Sequence, residues 1–154
     1  MTPSKYSHTD YPGQWITEMA TAESDDRKAV FVTGRCDVDK FRNNPRYSIR
    51  ITVSLAYDAA PTGMPAETSA PVVSEVTDRL VDVFHRDPVA VITGIYTGDG
   101  QRTIVFYAVS THIFQRKFNE ALADLPLLPI TIEAENDPDW DEYAEMLDVL
   151  ETGD

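Results

Sequence analysis

From Tyr47 to Tyr57 every odd position is apolar (Tyr47, Ile49, Ile51, Val53, Leu55, Tyr57), while Ser48, Arg50, Thr52 and Ser54 between them are polar. That period of two belongs to a strand with one face on a core and the other toward water. The period then changes to helical spacing, with Val72, Val73, Val76, Leu80, Val83 and Phe84 on one stripe. Ser69 or Ala70 precedes Pro71 at the expected helix start, and Pro88 marks its end. Two largely continuous apolar runs follow, Val89 to Tyr96 and Arg102 to Val109. Thr97-Gly98-Asp99-Gly100 separates them, and Asp-Gly between two apolar strands signals a tight hairpin because both turn positions need positive φ. A second helical stripe (Ile113, Phe114, Phe118, Ala121, Leu122, Leu125) starts at a Ser110 or Thr111 cap. Leu127 to Ala134 supplies a last strand. The order strand, helix, strand, strand, helix, strand predicts a ferredoxin-like α+β sandwich.

Two further segments extend this repeat. Lys28 to Gly34 (KAVFVTG) has the content of one additional strand, followed by a polar connection over 35–45. At the other end, Asn136-Asp137-Pro138-Asp139-Trp140 reads as a helix start, with a carboxylate at the cap and acid near the positive end of the dipole. Trp140, Tyr143, Ala144, Leu147 and Leu150 would be its packing stripe. The organisation expected is a flexible lead-in over 1–13, one α+β domain over 14–150 and a tail over 151–154, with Trp15 and Ile16 as the first apolar anchors.

Charge narrows the partners. Against 13 Lys and Arg stand 26 Asp and Glu, a net charge of −13. Such a surface repels phosphate backbones and anionic membranes, which argues against nucleic acid or lipid as a partner. The imbalance is uneven, since no Lys or Arg follows Lys117. No apolar run reaches the roughly 20 residues of a spanning helix. The first residues lack the apolar stretch of a signal peptide, so a cytoplasmic protein is expected.

The residue patterns supply no catalytic, cofactor-binding or metal-binding set. TGDG at 97–100 leads into a strand, whereas a phosphate-cradling loop leads into a helix. Asp137, Asp139, Asp141 and Asp148 occupy places of a calcium loop, but Glu142 stands where its sharp turn requires glycine. His8, His85 and His112 show no helical metal-pair spacing, His85 being suited to a helix C-terminus. No G-x-S-x-G elbow occurs. Phe106 and Tyr107 sit where ferredoxin-like RNA-binding domains carry stacking aromatics, without that motif's glycines and basic flanks. Cys36, the one cysteine, rules out an intramolecular disulfide and reads as a semi-buried structural thiol.

Gly63-Met64-Pro65, VITGIYTGDGQRTIVFYAV at 91–109 and Trp140-Asp141-Glu142-Tyr143 together resemble a bacterial family catalogued as domain of unknown function number 695, over roughly residues 15–150. That family is similar in presumed fold to a ferredoxin-like regulator of ribonuclease activity, regulator B. The resemblance implies a bacterial intracellular protein and regulation through protein binding, with no catalytic residues to carry over. The leading expectation is therefore a non-enzymatic acidic module, an inhibitor or immunity-like partner of a basic protein such as a nuclease. Asp137, Asp139, Asp141, Glu142, Glu145 and Asp148 would form its contact surface. Two alternatives stand beside it: a small-molecule or catalytic cleft beside the 61–71 loop, near Arg50, His112 or Tyr107, and a homo-oligomer formed through an open sheet face or edge.

Overall fold

The computed structural model describes residues 15–21, 29–126 and 128–152. The expected lead-in over 1–13, His8, Leu127 and the last two residues lie outside these. In chain order the elements are β1 (Trp15–Thr21), β2 (Ala29–Arg35), α1 (Asp39–Arg42), β3 (Ile49–Ala56), α2 (Ala70–Arg86), β4 (Ala90–Gly98), β5 (Gln101–Ala108), α3 (Thr111–Ala121), β6 (Ile130–Asn136) and α4 (Asp141–Thr152). The strands form one six-stranded sheet in the order β1-β2-β4-β5-β3-β6, antiparallel throughout. The architecture is α+β.

Two strands, not one, precede the repeat. β1 pairs β2 along its whole length, from Trp15↔Arg35 to Thr21↔Ala29. Its sequence, WITEMAT, mixes β-formers with Glu and Ala and carries no turn signal, so it is weak as an isolated strand. The connection after β2 holds the single helical turn α1, too short for periodicity to reveal. Val38, beside that turn, is fully buried. α4 continues to Thr152, into the segment expected to be tail.

Alternation along β3 sends Ile51, Val53 and Leu55 to one face of the sheet, where they meet Ile92 and Ile95 of β4 and Ile104, Phe106 and Ala108 of β5. α2 and α3 cover this face with Val73, Val76, Leu80, Phe84, Phe114 and Phe118. Phe106 lies against Phe84 and Phe114 with ring centroids 5.2 and 4.8 Å apart, edge to face in both pairs. A polar pin is buried at one side of this apolar layer. The Arg102 guanidinium donates to Thr97 Oγ1 at 2.9 Å and to Thr77 Oγ1 at 3.0 Å, and Thr77 in turn donates to the Val73 carbonyl. Ser110 caps α3 as expected, accepting from the Ile113 N–H.

The opposite face carries a second core, made by Val32, Val38, Val91, Val105, Tyr107, Trp140, Tyr143, Met146 and Leu150. A β-bulge between Ile92 and Gly94 makes both layers possible. It adds one residue to β4, so that Ile92 and Ile95 share the α2 and α3 face while Gly94 turns toward α4. Gly94 pairs with Gly34 of β2, and the two together form a notch for α4. A Cβ at Gly34 would stand 2.4 Å from Leu150 Cδ1, and one at Gly94 would stand 2.6 Å from Met146 Sδ. α4 thus covers part of the face that a four-stranded repeat would leave open.

Candidate functional site

The residues from which the acidic surface was expected start where β6 ends, and their placement follows from one carboxylate. Asp137 is 6% exposed, and its backbone N–H donates to the Ser48 carbonyl beside β3. Its Oδ1 accepts from the Asp141 N–H at 2.9 Å. Its Oδ2 accepts from Tyr107 Oη at 2.6 Å, and at 3.3 Å from both the Glu142 N–H and Arg50 Nη1. Two of these donors are orphan N–H groups at the start of α4, so Asp137 both caps the helix and fastens it to β5 and β3. Burial acts to raise this carboxyl. The Tyr107 hydroxyl, the two helix N–H groups and the Arg50 guanidinium outweigh burial and hold it below the usual carboxylate range. Arg50 also reaches Glu135 Oε2 at 2.6 Å.

Trp140 lies between cap and helix with φ of 56°, a left-handed conformation that a non-glycine residue adopts at a cost of about 1–2 kcal/mol. Packing and hydrogen bonds offset that strain. The indole stacks on Tyr107 with centroids 4.1 Å apart, and Nε1 donates to the Tyr47 carbonyl at 2.7 Å. One turn on, Tyr143 donates to the Arg35 carbonyl at 2.6 Å, and burial pushes its phenol up to about 12. Tyr47 donates to the Pro88 carbonyl at 2.6 Å. These contacts tie α4 and the chain before β3 to the ends of β2 and α2.

Glu142 is the second carboxylate turned inward. Its Oε2 accepts from Tyr96 Oη at 2.6 Å, whereas Oε1 is buried with no hydrogen-bond partner among the described residues. Burial raises its pKa, and the Asp137 and Glu145 charges add to the rise, against lowering by the Tyr96 bond and Arg50. The two inward carboxylates are therefore shifted in opposite directions.

Of the six acidic residues read as a contact surface, Asp137 and Glu142 are committed to the interior network, while Asp139, Asp141, Glu145 and Asp148 are exposed. Glu133 and Glu135 of the edge strand β6 are exposed as well, outside the set that sequence reading named. The alternation of β6 held their signal, since Ile130 and Ile132 pack on the α2 and α3 core and leave the odd-numbered glutamates to the other face.

The 61–71 loop folds onto itself. Ala60 N–H donates to the Met64 carbonyl, Gly63 N–H to Ala60 and Ala66 N–H to Asp58. The Gly63 carbonyl accepts from Tyr57 Oη at 2.8 Å and from the Gly100 N–H of the hairpin at 3.0 Å. Gly63 has φ of 89°, and Asp99 and Gly100 have the two positive φ values of the expected turn. Ser69, at the N-cap position of α2, accepts with its side chain from the Asp58 N–H at 3.2 Å and from no N–H of the helix. The loop thus closes the end of the β4–β5 hairpin. A cavity of about 140 Å³ opens elsewhere, lined by residues of α1, α2 and β4. His85 and His112 are exposed on α2 and α3, and Cys36 is exposed where a semi-buried thiol was expected. Among the described residues no helix is long and apolar enough to cross a membrane.

A family model described as a family of unknown function (DUF695) matches residues 14–148. No curated protein and no solved structure matches the chain. The sequence pieces that carry the family likeness meet in space, Gly63 with Gly100 at one end of the hairpin and Trp140 with Tyr107 on its strand.

Proposed function

This chain belongs to the DUF695 family of unknown function, and we propose that it is a non-enzymatic acidic module that binds a basic protein, as an inhibitor or regulator would. The observation carrying this reading is the exposed acidic surface of Asp139 just before α4 and Asp141, Glu145 and Asp148 on it, in a stretch of sequence with no Lys or Arg after position 117. Complementary charge of this kind acts chiefly on association rate and on the choice of partner. The rigid seating of α4 through Asp137 favours it too, because a surface held in place loses little entropy on binding. The fold underneath is read as ferredoxin-like: the repeat strands lie in the order β6-β3-β5-β4 with α2 and α3 on one face, and β2 and β1 extend the β4 edge.

The test is capture of partners on the immobilised full chain, at low and at moderate salt, followed by direct titration of the partner found. Wild type should retain a basic protein that is released as salt rises. The variant Asp139→Asn, Asp141→Asn, Glu145→Gln, Asp148→Asn should bind it about tenfold or more weakly, at roughly 0.3–1 kcal/mol for each exposed charge. Retention of the same partner by the variant with unchanged affinity, or no partner at either salt, overturns the reading.

A further inference from the structure

The acidic rim leaves a contrasting region unexplained. Between positions 35 and 50 the chain carries Arg35, Lys40, Arg42, Arg46 and Arg50 against only Asp37 and Asp39, in a molecule of net charge −13. The fold brings part of this basic stretch to the mouth of the 140 Å³ cavity. β2 pairs with β4 only as far as Gly34↔Gly94, after which its chain leaves at Arg35 and turns into α1. No β2 residue is paired beside Ala90, Val91 and Ile92, and these form the cavity floor. Phe41 of α1 and Phe84 of α2 stand on its walls, and Arg35, Lys40 and His85 line it, with no carboxylate among the described lining residues.

We infer that this cavity is a binding site for a small organic anion, one ring-sized apolar body bearing a carboxylate, with the body against Phe41, Phe84 and Ile92 and the carboxylate toward Lys40, His85 and Arg35. The volume suits the body, since an apolar cavity of about 150 Å³ admits benzene. The charge selects the sign. Half-buried Arg35 and exposed Lys40 and His85 line the apolar floor, in a molecule whose net charge of −13 otherwise repels an anion. Arg35 is held in orientation by its pair with Asp37 at 2.9 Å, and Lys40 by its place over the Phe41 ring, 5.0 Å from the centroid. The site is separate from the acidic rim and does not depend on the function proposed for it.

The experiment is a titration of the isotope-labelled full chain with sodium benzoate, followed by amide resonances. Benzyl alcohol serves as the neutral control and inorganic phosphate as the anion without an apolar body. Benzoate should shift the signals of Lys40, Phe41, Val91 and Ile92 saturably, with both controls about tenfold or more weaker, as expected for loss of a charge-assisted hydrogen bond or of the apolar contact. Lys40→Glu with His85→Glu should weaken benzoate about tenfold or more, and Lys40→Gln with His85→Gln by an intermediate factor. Lys40 and His85 are both exposed, so the spectra of either variant should otherwise keep their dispersion. Absence of saturable shifts, shifts confined to other residues, equal binding of benzyl alcohol, or unchanged affinity in both double variants would overturn the assignment. The rim variant described above should bind benzoate as wild type does.

Discussion

The two faces of the sheet are held by different physics. On one, α2 and α3 meet the strands through aliphatic side chains and the rings of Phe84, Phe106, Phe114 and Phe118, with the buried Arg102 pin to one side. On the other, α4 is seated by a tyrosine and carboxylate network and by the Gly34 and Gly94 notch, with less apolar area around them. Apolar burial is non-directional and indifferent to pH, whereas a hydrogen-bonded carboxylate is directional and depends on its proton. The first face should therefore govern whether the chain folds, and the second how firmly α4, and the acidic surface on it, is presented.

The largest effect should come from the first face. Phe106→Ala empties a fully buried site between two rings and should cost about 3–5 kcal/mol, much of a typical domain stability of 5–15 kcal/mol. Urea denaturation should show the whole sheet and α4 lost together. Amide exchange that loosens α2 and α3 while leaving α4 protected would break the proposed hierarchy.

Next comes Asp137→Ala. It removes the cap of α4, leaves the buried Tyr107 hydroxyl without its acceptor and half-buried Arg50 with Glu135 alone, at a cost of about 2–4 kcal/mol. Amide exchange should rise first in α4, with β3, β4 and β5 still protected. The folded carboxyl lies below its ordinary value, so its contribution is present above the ordinary carboxylate pKa and is lost as pH falls through the depressed one. The gap between variant and wild type should shrink in acid.

The smallest effect, within about 1 kcal/mol, is expected for Glu142→Gln, which keeps an acceptor for Tyr96 and removes a buried charge. The sign of its pH dependence is opposite. A folded pKa raised above the unfolded value gives stability that is complete below the ordinary carboxylate pKa and is lost as pH rises through the raised value. The variant should gain on wild type as pH increases, in thermal melts between acid and neutral pH. Parallel pH profiles for the two variants would show that the inward carboxylates do not have opposed environments.

The sequence carried most of what depends on neighbours in the chain. The alternation in 49–57, the stripe in 72–84, the Asp99-Gly100 turn and the Ser110 cap all act within a few residues, and each reappears in place, while Tyr47 at the head of the expected alternation packs instead against the α4 core. The carboxylate of Asp137 at the start of a helix was legible for the same reason, and so was the concentration of acid after Lys117. Which of those acids face water was not. Asp137 and Glu142 turn inward because Tyr107 and Tyr96, 30 and 46 positions away, offer hydroxyls at that spot. β1 gains its place by pairing along β2, the Gly34 and Gly94 notch exists only when β2 lies on β4, and the basic mouth of the cavity forms where β2 leaves that pairing. Periodicity and capping are set by local geometry, so the chain alone determined the elements of the central repeat, the helix after it and their acidic character. The orientation of polar side chains depends on partners distant in sequence, because burial makes an unpaired charge costly, and only the tertiary structure decided it.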